Sequence, residues 1–300
     1  MPLITYTDRW CKWNSPIYQD AVKRQSKSLN FTGLYNGEYE LTFVFDDLLF
    51  RLNEYLEDNI KDLHIIDHEA QIENEVYYTA KIEGANTTIA RTNAIHNGAK
   101  IDNRNYKSEK MVKNGFDATK YLNLIGGRIT EDTLCKLWNI IVDGVCENED
   151  IRGSKYRNDD VMVGGHKGVP VDDIEPLMKN WIAFYNSEKL NDYPFIKAAL
   201  LHYAFETIHP FCDGNGRTGR LLLNNYLIYH GYEQVKAISF SAQIDKTRLS
   251  YDVAFHDAEN EKVQLDDKVV YDCTPFLYYM LQTMADTVQL LKDLQEEIER

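Results

Sequence analysis

Within twelve residues, His209 to Arg220 (HPFCDGNGRTGR), the chain places an imidazole, a carboxylate, a Gly-Asn-Gly turn and two guanidinium groups. Gly214 and Gly216 free the backbone around Asn215 to turn successive N–H groups to one side. That makes an anion-binding nest at the mouth of a helix whose dipole also favours negative charge. Arg217 and Arg220 stand three apart at the helix start, so they share a face and suit two-pronged hydrogen bonds to phosphate oxygens. Cations at that end oppose the dipole, and a bound anion is the natural compensation. Asp213, beside the nest, suits Mg2+, which is usually held by one or two carboxylates plus substrate phosphates. His209 is placed to act as a general base near neutral pH.

The elements that must position these groups are legible in the hydrophobic period. Ile196 to Ile208 (IKAALLHYAFETI) and Arg217 to Tyr229 (RTGRLLLNNYLIY) carry apolar residues at three- and four-residue spacing, and Pro210 with the two glycines separates them as two helices. A helix is predicted over Asp67 to Glu83, with Asp67 as N-cap, Glu69 in the first turn and Gly84 as a left-handed stop. Tyr39 to Leu56 reads as a helix whose start, LTFVF, could equally be a strand. Residues 85 to 115 are polar, are broken by Asn and Gly, and read as a connector. Helices are expected around Asp117 to Leu124, over Leu134 to Val142 behind a Thr130 cap, and over Asp173 to Tyr185. Further helices are expected over Asp245 to Glu259 and Thr274 to Arg300, with Gly231-Tyr232 ending the one before them. Between Arg152 and Val171 the helical period fails. Val161 and Val163 alternate, and Gly164-Gly165 supplies a turn, which together signal a hairpin.

Composition narrows the function. The chain has 300 residues, 44% hydrophobic and 12% aromatic, enough for a sizeable core in one large or two small domains. A net charge of -14 argues against a nucleic-acid partner and leaves a single nucleotide as the polyanion contact. Five cysteines without a C-x-x-C pair indicate neither a zinc site nor a disulfide framework. The start lacks a leader pattern and no 18-residue apolar span occurs, so a cytoplasmic location without membrane contact is expected. Trp10, Trp13 and Tyr18 read as packing residues.

In order, His209 to Arg220 resemble the Fic family signature H-P-F-x-D/E-G-N-G-R-x-x-R at every specified position. That resemblance implies a protein AMPylator, which transfers AMP from Mg-ATP to a Ser, Thr or Tyr hydroxyl of a target protein. It implies that His209 deprotonates the hydroxyl and that Asp213 holds Mg2+ across the alpha- and beta-phosphates. Asn215 and the nest would hold the alpha-phosphate, the arginines the beta- and gamma-phosphates, and Phe211 would anchor the turn in the core. Tyr251 falls in the family's downstream aromatic region near the nucleotide base. The hairpin at Val161, Val163, Gly164 and Gly165 resembles the Fic flap that lines up the target segment.

Thr79, Glu83 and Gly84 resemble the inhibitory motif S/T-x-x-x-E-G/N of N-terminally inhibited Fic proteins. A carboxylate at a helix C-terminus is better placed if it reaches a cation. The expected partner of Glu83 is Arg220, with Thr79 one turn earlier in support. The implied architecture is a mainly α Fic-fold helical bundle with a β-hairpin flap and an N-terminal inhibitory helix. Its expected division is 1–115, carrying the inhibitory helix at about 67–84, then a catalytic core at 116–245 and a helical extension at 246–300. Self-modification is a further expectation, as is a last helix that either covers the core or pairs with a second copy of the chain in a homodimer. The rival functions are a Fic enzyme that reverses AMPylation or transfers another nucleotide, and a silent nucleotide-binding module.

Overall fold

The computed structural model describes residues 40–43, 47–63, 68–146, 155–163, 166–260, 262–265 and 268–300. Gly164, Gly165, Asp67, Trp10, Trp13 and Tyr18 lie outside them. The chain runs β1 (Glu40–Thr42), α1 (Asp47–Ile60), α2 (His68–Ile82), α3 (Ile89–His96), a 3-10 turn and α4 (Tyr106–Ile125). Then come α5 (Glu131–Val142), the hairpin β2 (Met162–Val163) and β3 (His166–Lys167), α6 (Val171–Tyr185), α7 (Pro194–Ile208) and α8 (Asn215–Tyr229). A second 3-10 turn (Glu233–Ala237) leads to α9 (Phe240–Lys246), α10 (Arg248–Asn260), β4 (Lys262–Leu265), β5 (Lys268–Asp272) and α11 (Thr274–Glu299). The fold is mainly α, as the sequence implies.

The central element is α7, and it is apolar nearly all round, which a helix can be only if it is surrounded. From Pro194 to Ile208 every residue but Thr207 is buried, and Phe195, Leu200, Phe205 and Ile208 have no exposed surface. It packs against α8, α11, α6 and α1. One core runs from Leu41 in β1 to Val288 in α11, and a smaller one joins α2, α3 and α4 through Val76, Ile95, Val112 and Phe116.

Several expectations change. Residues 85 to 115 are not a connector, because they form α3 and the first half of α4. Thr88 caps α3 by accepting from the Arg91 N–H, and Arg91 pairs with the buried Glu109 at 2.7 Å. The expected boundary at 115/116 therefore falls inside α4. The helix expected over Asp245 to Glu259 is divided between α9 and α10, with Thr247 at the break. A small sheet has the order β1-β5-β4, parallel between β1 and β5 and antiparallel between β4 and β5; β1 overlaps the strand alternative at LTFVF, while β4 and β5 were not foreseen. The second half of α11 leaves Leu290, Leu294 and Ile298 exposed. No helix among the described residues is long and apolar enough to cross a membrane.

Candidate active site

Helix α7 stops at His209, a non-glycine residue in the left-handed region at φ 50, ψ 60, whose N–H still reaches the Phe205 carbonyl at 3.0 Å. Such a conformation costs roughly 1–3 kcal/mol and must be held by its surroundings. Its Nδ1 lies 3.3 Å from the Glu206 carbonyl oxygen. A carbonyl only accepts, so this contact calls for the proton on Nδ1, which in a neutral ring leaves Nε2 as the acceptor that a general base needs.

The restraint comes from Arg157, which the sequence did not single out. It is buried, its Nε donates to the His209 carbonyl at 2.8 Å, and its Nη2 donates to the Val169 carbonyl. Its own N–H reaches the Pro210 carbonyl at 2.9 Å. A lone arginine in a polar stretch gives no sequence signal of this role, which depends on the carbonyls of His209 and Val169, distant in sequence, converging in space.

Beyond Pro210, Phe211 is fully buried and stacks on Trp138 with ring centroids 4.6 Å apart. The Asn215 side chain closes the turn, accepting from the Phe211 N–H at 2.9 Å and donating to the Phe211 carbonyl at 2.7 Å. One of the two amide hydrogens of Asn215 is thus used within the loop, and its backbone N–H faces the open end of the helix. Gly214 caps α8 at φ 78, where a side chain would be strained. The N–H groups of Asn215, Gly216 and Arg217 open the helix without intrahelical acceptors.

The two arginines diverge. Arg217 reaches back to Asp213 at 2.9 Å and to the Ile141 carbonyl at 3.3 Å. Arg220, 5% exposed, reaches across to α2, where Nη2 meets Glu83 Oε1 at 2.7 Å and Nε donates to Thr79 Oγ1 at 2.8 Å. Glu83 stands one residue past the end of α2, and Gly84 follows at φ 87. The Glu83 carboxylate also lies so close over Gly216 that a Cβ there would collide with it. A carboxylate of the chain itself is thus seated on the first turn of α8, where the sequence places a phosphate. Burial raises the Glu83 pKa, but the charge and hydrogen bond of Arg220 outweigh it and hold the group below its ordinary value.

Asp213 is 40% exposed at its side chain. Its Oδ1 takes the Gly214 N–H at 2.6 Å and Arg217, and the Trp138 indole fixes its carbonyl at 2.8 Å. No cluster of three or more acidic, His or Cys side chains that could hold a metal occurs among the described residues. A single, partly exposed carboxylate fits Mg2+ that takes its other ligands from phosphates and water. It does not fit a cation held by protein alone.

Tyr251 is buried, its hydroxyl 3.2 Å from His202 Nε2 and its ring among Phe255, Phe276 and Tyr279. The Arg248 guanidinium lies 5.7 Å from its ring. Tyr251 is therefore a core residue bordering Arg220, not an open shelf. The hairpin pairs Met162 with Lys167 and Val163 with His166, and the Gly168 N–H bonds to the Val161 carbonyl at 3.2 Å. Arg157 and Val169 tie its base to His209. The thiols of Cys146 and Cys212, far apart in sequence, lie 3.9 Å apart beside the turn.

Residues 128–227 match the family model Fic/DOC family. The protein adenylyltransferase Fic of Drosophila grimshawi is 33% identical over 162 residues, 53% of this chain and 34% of that protein. That of Drosophila ananassae is 33% identical over 162 residues, 53% of this chain and 33% of that protein. The chain thus spans about a third of the length of the curated relatives it matches. A Fic family protein from Desulfovibrio desulfuricans shares the fold at a TM-score of 0.71 and 19% identity, over 84% of this chain and 76% of that one. Fic-1 of C. elegans does so at a TM-score of 0.65 and 22% identity, over 83% and 73%. Residues 128–227, which hold the signature turn and the helix pair around it, thus match the Fic/DOC family model, and the fold is that of solved Fic family proteins.

Proposed function

We propose that the chain is a protein adenylyltransferase that moves AMP from ATP to a Ser, Thr or Tyr hydroxyl of a target protein and is held inactive by Glu83. The observation that carries this reading is the Glu83 carboxylate seated on Arg220 and over Gly216 at the open end of α8. A site that draws in a carboxylate of its own chain is a site built for an anion. The adenylyltransferase names of the relatives supply the class of anion and of reaction.

His209 Nε2 takes the proton of the target hydroxyl, and the freed oxygen bonds to the alpha-phosphorus of ATP. The bond from that phosphorus to the bridging oxygen breaks and pyrophosphate leaves. The backbone N–H groups of Asn215, Gly216 and Arg217 hold the alpha-phosphate, and Arg217 and Arg220 hold the outer phosphates once Glu83 has left. Asp213 would hold Mg2+, which would supply charge neutralisation on the phosphates. Seated Glu83 takes the Arg220 fork, so that ATP lies with its alpha-phosphate out of line, and a misplacement of about 1 Å can cost on the order of 10^2 in rate. The hairpin β2–β3 offers backbone groups to an extended target segment, giving register with little side-chain preference.

The test is mass spectrometry of wild type and Glu83→Gly after incubation with Mg-ATP and a lysate. An AMP adduct on a protein hydroxyl, stronger in the variant, supports the reading. A UMP or GMP adduct when UTP or GTP is supplied, with none from ATP, would replace the nucleotide. No adduct from any nucleotide would leave a binding module.

A further inference from the structure

Helix α2 carries more than the two residues of the inhibitory pair. Glu75, Thr79 and Glu83 stand four apart, one stripe along the same face. Glu75 is buried, yet its carboxylate is fully engaged. Oε1 accepts from Ser241 Oγ at 2.6 Å and from Asn224 Nδ2 at 3.2 Å, and Oε2 accepts from Ser239 Oγ at 2.9 Å and the Ser241 N–H at 3.0 Å. Ser239 is the N-cap residue of α9, so the carboxylate also faces the positive end of a helix.

The hydrogen bonds have a direction. Arginine can only donate, so Arg220 Nε–H must donate to Thr79 Oγ1. Thr79 then donates to Ser241 Oγ, 3.1 Å away, and Ser241 donates to Glu75. Each hydroxyl accepts once and donates once, so a buried chain runs from the Arg220 cation to the Glu75 anion through Thr79 and Ser241. All four groups around Glu75 present donors to it. Burial raises its carboxyl pKa, against the bonds from Ser241 and Ser239 and the charge of Arg220.

We infer that Glu75 is the positioning residue of the inhibitory helix. It is a second fixed point, two turns from Glu83, that docks α2 on α8 and α9 and aims Thr79 at Arg220. The inference rests on the reading of Glu83 as inhibitory and extends it to a residue outside the T-x-x-x-E-G stretch. A contact made only at Glu83, one residue past the end of α2, would fray with that end. Anchored at Glu75, α2 delivers Glu83 to the same place each time it docks. Weakening the anchor therefore activates the enzyme, without touching any group that meets ATP.

The experiment measures labelled-AMP incorporation and amide hydrogen exchange in wild type, Glu75→Gln, Ser241→Ala, Glu83→Gly and Glu75→Gln with Glu83→Gly. Glutamine keeps the shape but turns an NH2 group toward a donor that the carboxylate had accepted. Loss of a buried hydrogen bond to a charged group shifts the docked-to-undocked ratio by about 10- to 100-fold. Glu75→Gln and Ser241→Ala are each expected to raise transfer by up to that factor toward the Glu83→Gly level. The double variant is expected to match Glu83→Gly alone, because both act on one equilibrium. Amides 76–82 should exchange faster in both anchor variants while α7 and α8 stay protected.

If Glu83→Gly is activated but both anchor variants transfer at the wild-type rate with unchanged exchange in α2, the assignment is wrong while the inhibitory reading stands. If Glu83→Gly itself is not activated, the inhibitory reading fails, and the exchange of α2 alone decides whether Glu75 anchors it. Lost transfer with exchange raised throughout α7 and α8 would make Glu75 a general folding residue and overturn the proposal.

Discussion

Glu83 Oε1 and Arg220 Nη2 meet at 2.7 Å, joining the C-terminal end of α2 to the first turns of α8 across 137 residues of chain. The pair settles two local electrostatic conflicts at once. A carboxylate at a helix C-terminus and a guanidinium near a helix N-terminus are each unfavourable alone. An arriving phosphate would satisfy Arg220 equally well, which makes the contact exchangeable.

The base assignment is tested in the released enzyme. In a Glu83→Gly background, His209→Ala should lower AMP incorporation by about 10^2 to 10^4. ATP affinity, followed by calorimetry, should stay within a few-fold, since His209 is not placed on the phosphates. Full activity in the double variant would remove His209 from the role.

Arg157 should matter for stability as well as for geometry. Arg157→Ala strips donors from the buried carbonyls of His209 and Val169, and each buried group left unsatisfied costs about 1–3 kcal/mol. A loss of roughly 2–4 kcal/mol in denaturant unfolding is expected on that principle, with weaker transfer in the released background. An unchanged midpoint and unchanged transfer would mean that the strained His209 backbone holds itself.

The acid dependence of the Glu83–Arg220 pair has a definite sign. Glu83 titrates below its ordinary value of 4.5 when seated on Arg220. A carboxyl whose pKa is depressed by folding contributes stability that is complete above its unfolded value and is lost as pH falls through the folded one. The stability difference between wild type and Glu83→Gln should therefore be constant from neutral pH down to about pH 5 and vanish at lower pH. A difference that instead shrinks between pH 6 and 8 would contradict the pairing.

The hairpin should govern the target and not the nucleotide. Val163 pairs with His166 in the β2–β3 ladder, and a proline there removes a backbone donor. Val163→Pro in the released background should keep ATP binding and lose target labelling. Normal labelling of target by that variant would take the flap out of the account.

The signature turn is legible in the sequence because each residue type there has a chemical reason for its place, and the glycines and proline mark the helix ends without tertiary help. The Glu83 and Arg220 partnership follows from charge at helix ends plus the family motif. What the sequence hides is equally physical. Residues 85 to 115 read as a connector because their few apolar residues are widely spaced, while the polar pairs Arg91 with Glu109 and His96 with Glu73, which a hydrophobic period does not register, add to the small core that holds α3 and α4 to α2. That the Asn215 side chain also closes the turn on the Phe211 backbone shows only in three dimensions. Arg157, the Glu75 anchor and the neighbouring thiols of Cys146 and Cys212 depend on segments meeting in three dimensions, and no local pattern announces them.

The central claim is that Glu83 occupies a site built for the phosphates of ATP. It is tested most directly by labelled-AMP incorporation in wild type, Glu83→Gly and Glu83→Gly with Arg220→Ala under equal Mg-ATP. If the seated form outweighs the released one by about 99:1, freeing the site raises transfer by up to about 100-fold. Loss of Arg220 should then remove much of that gain. Equal incorporation in wild type and Glu83→Gly, with both proteins folded and binding ATP, would contradict the claim.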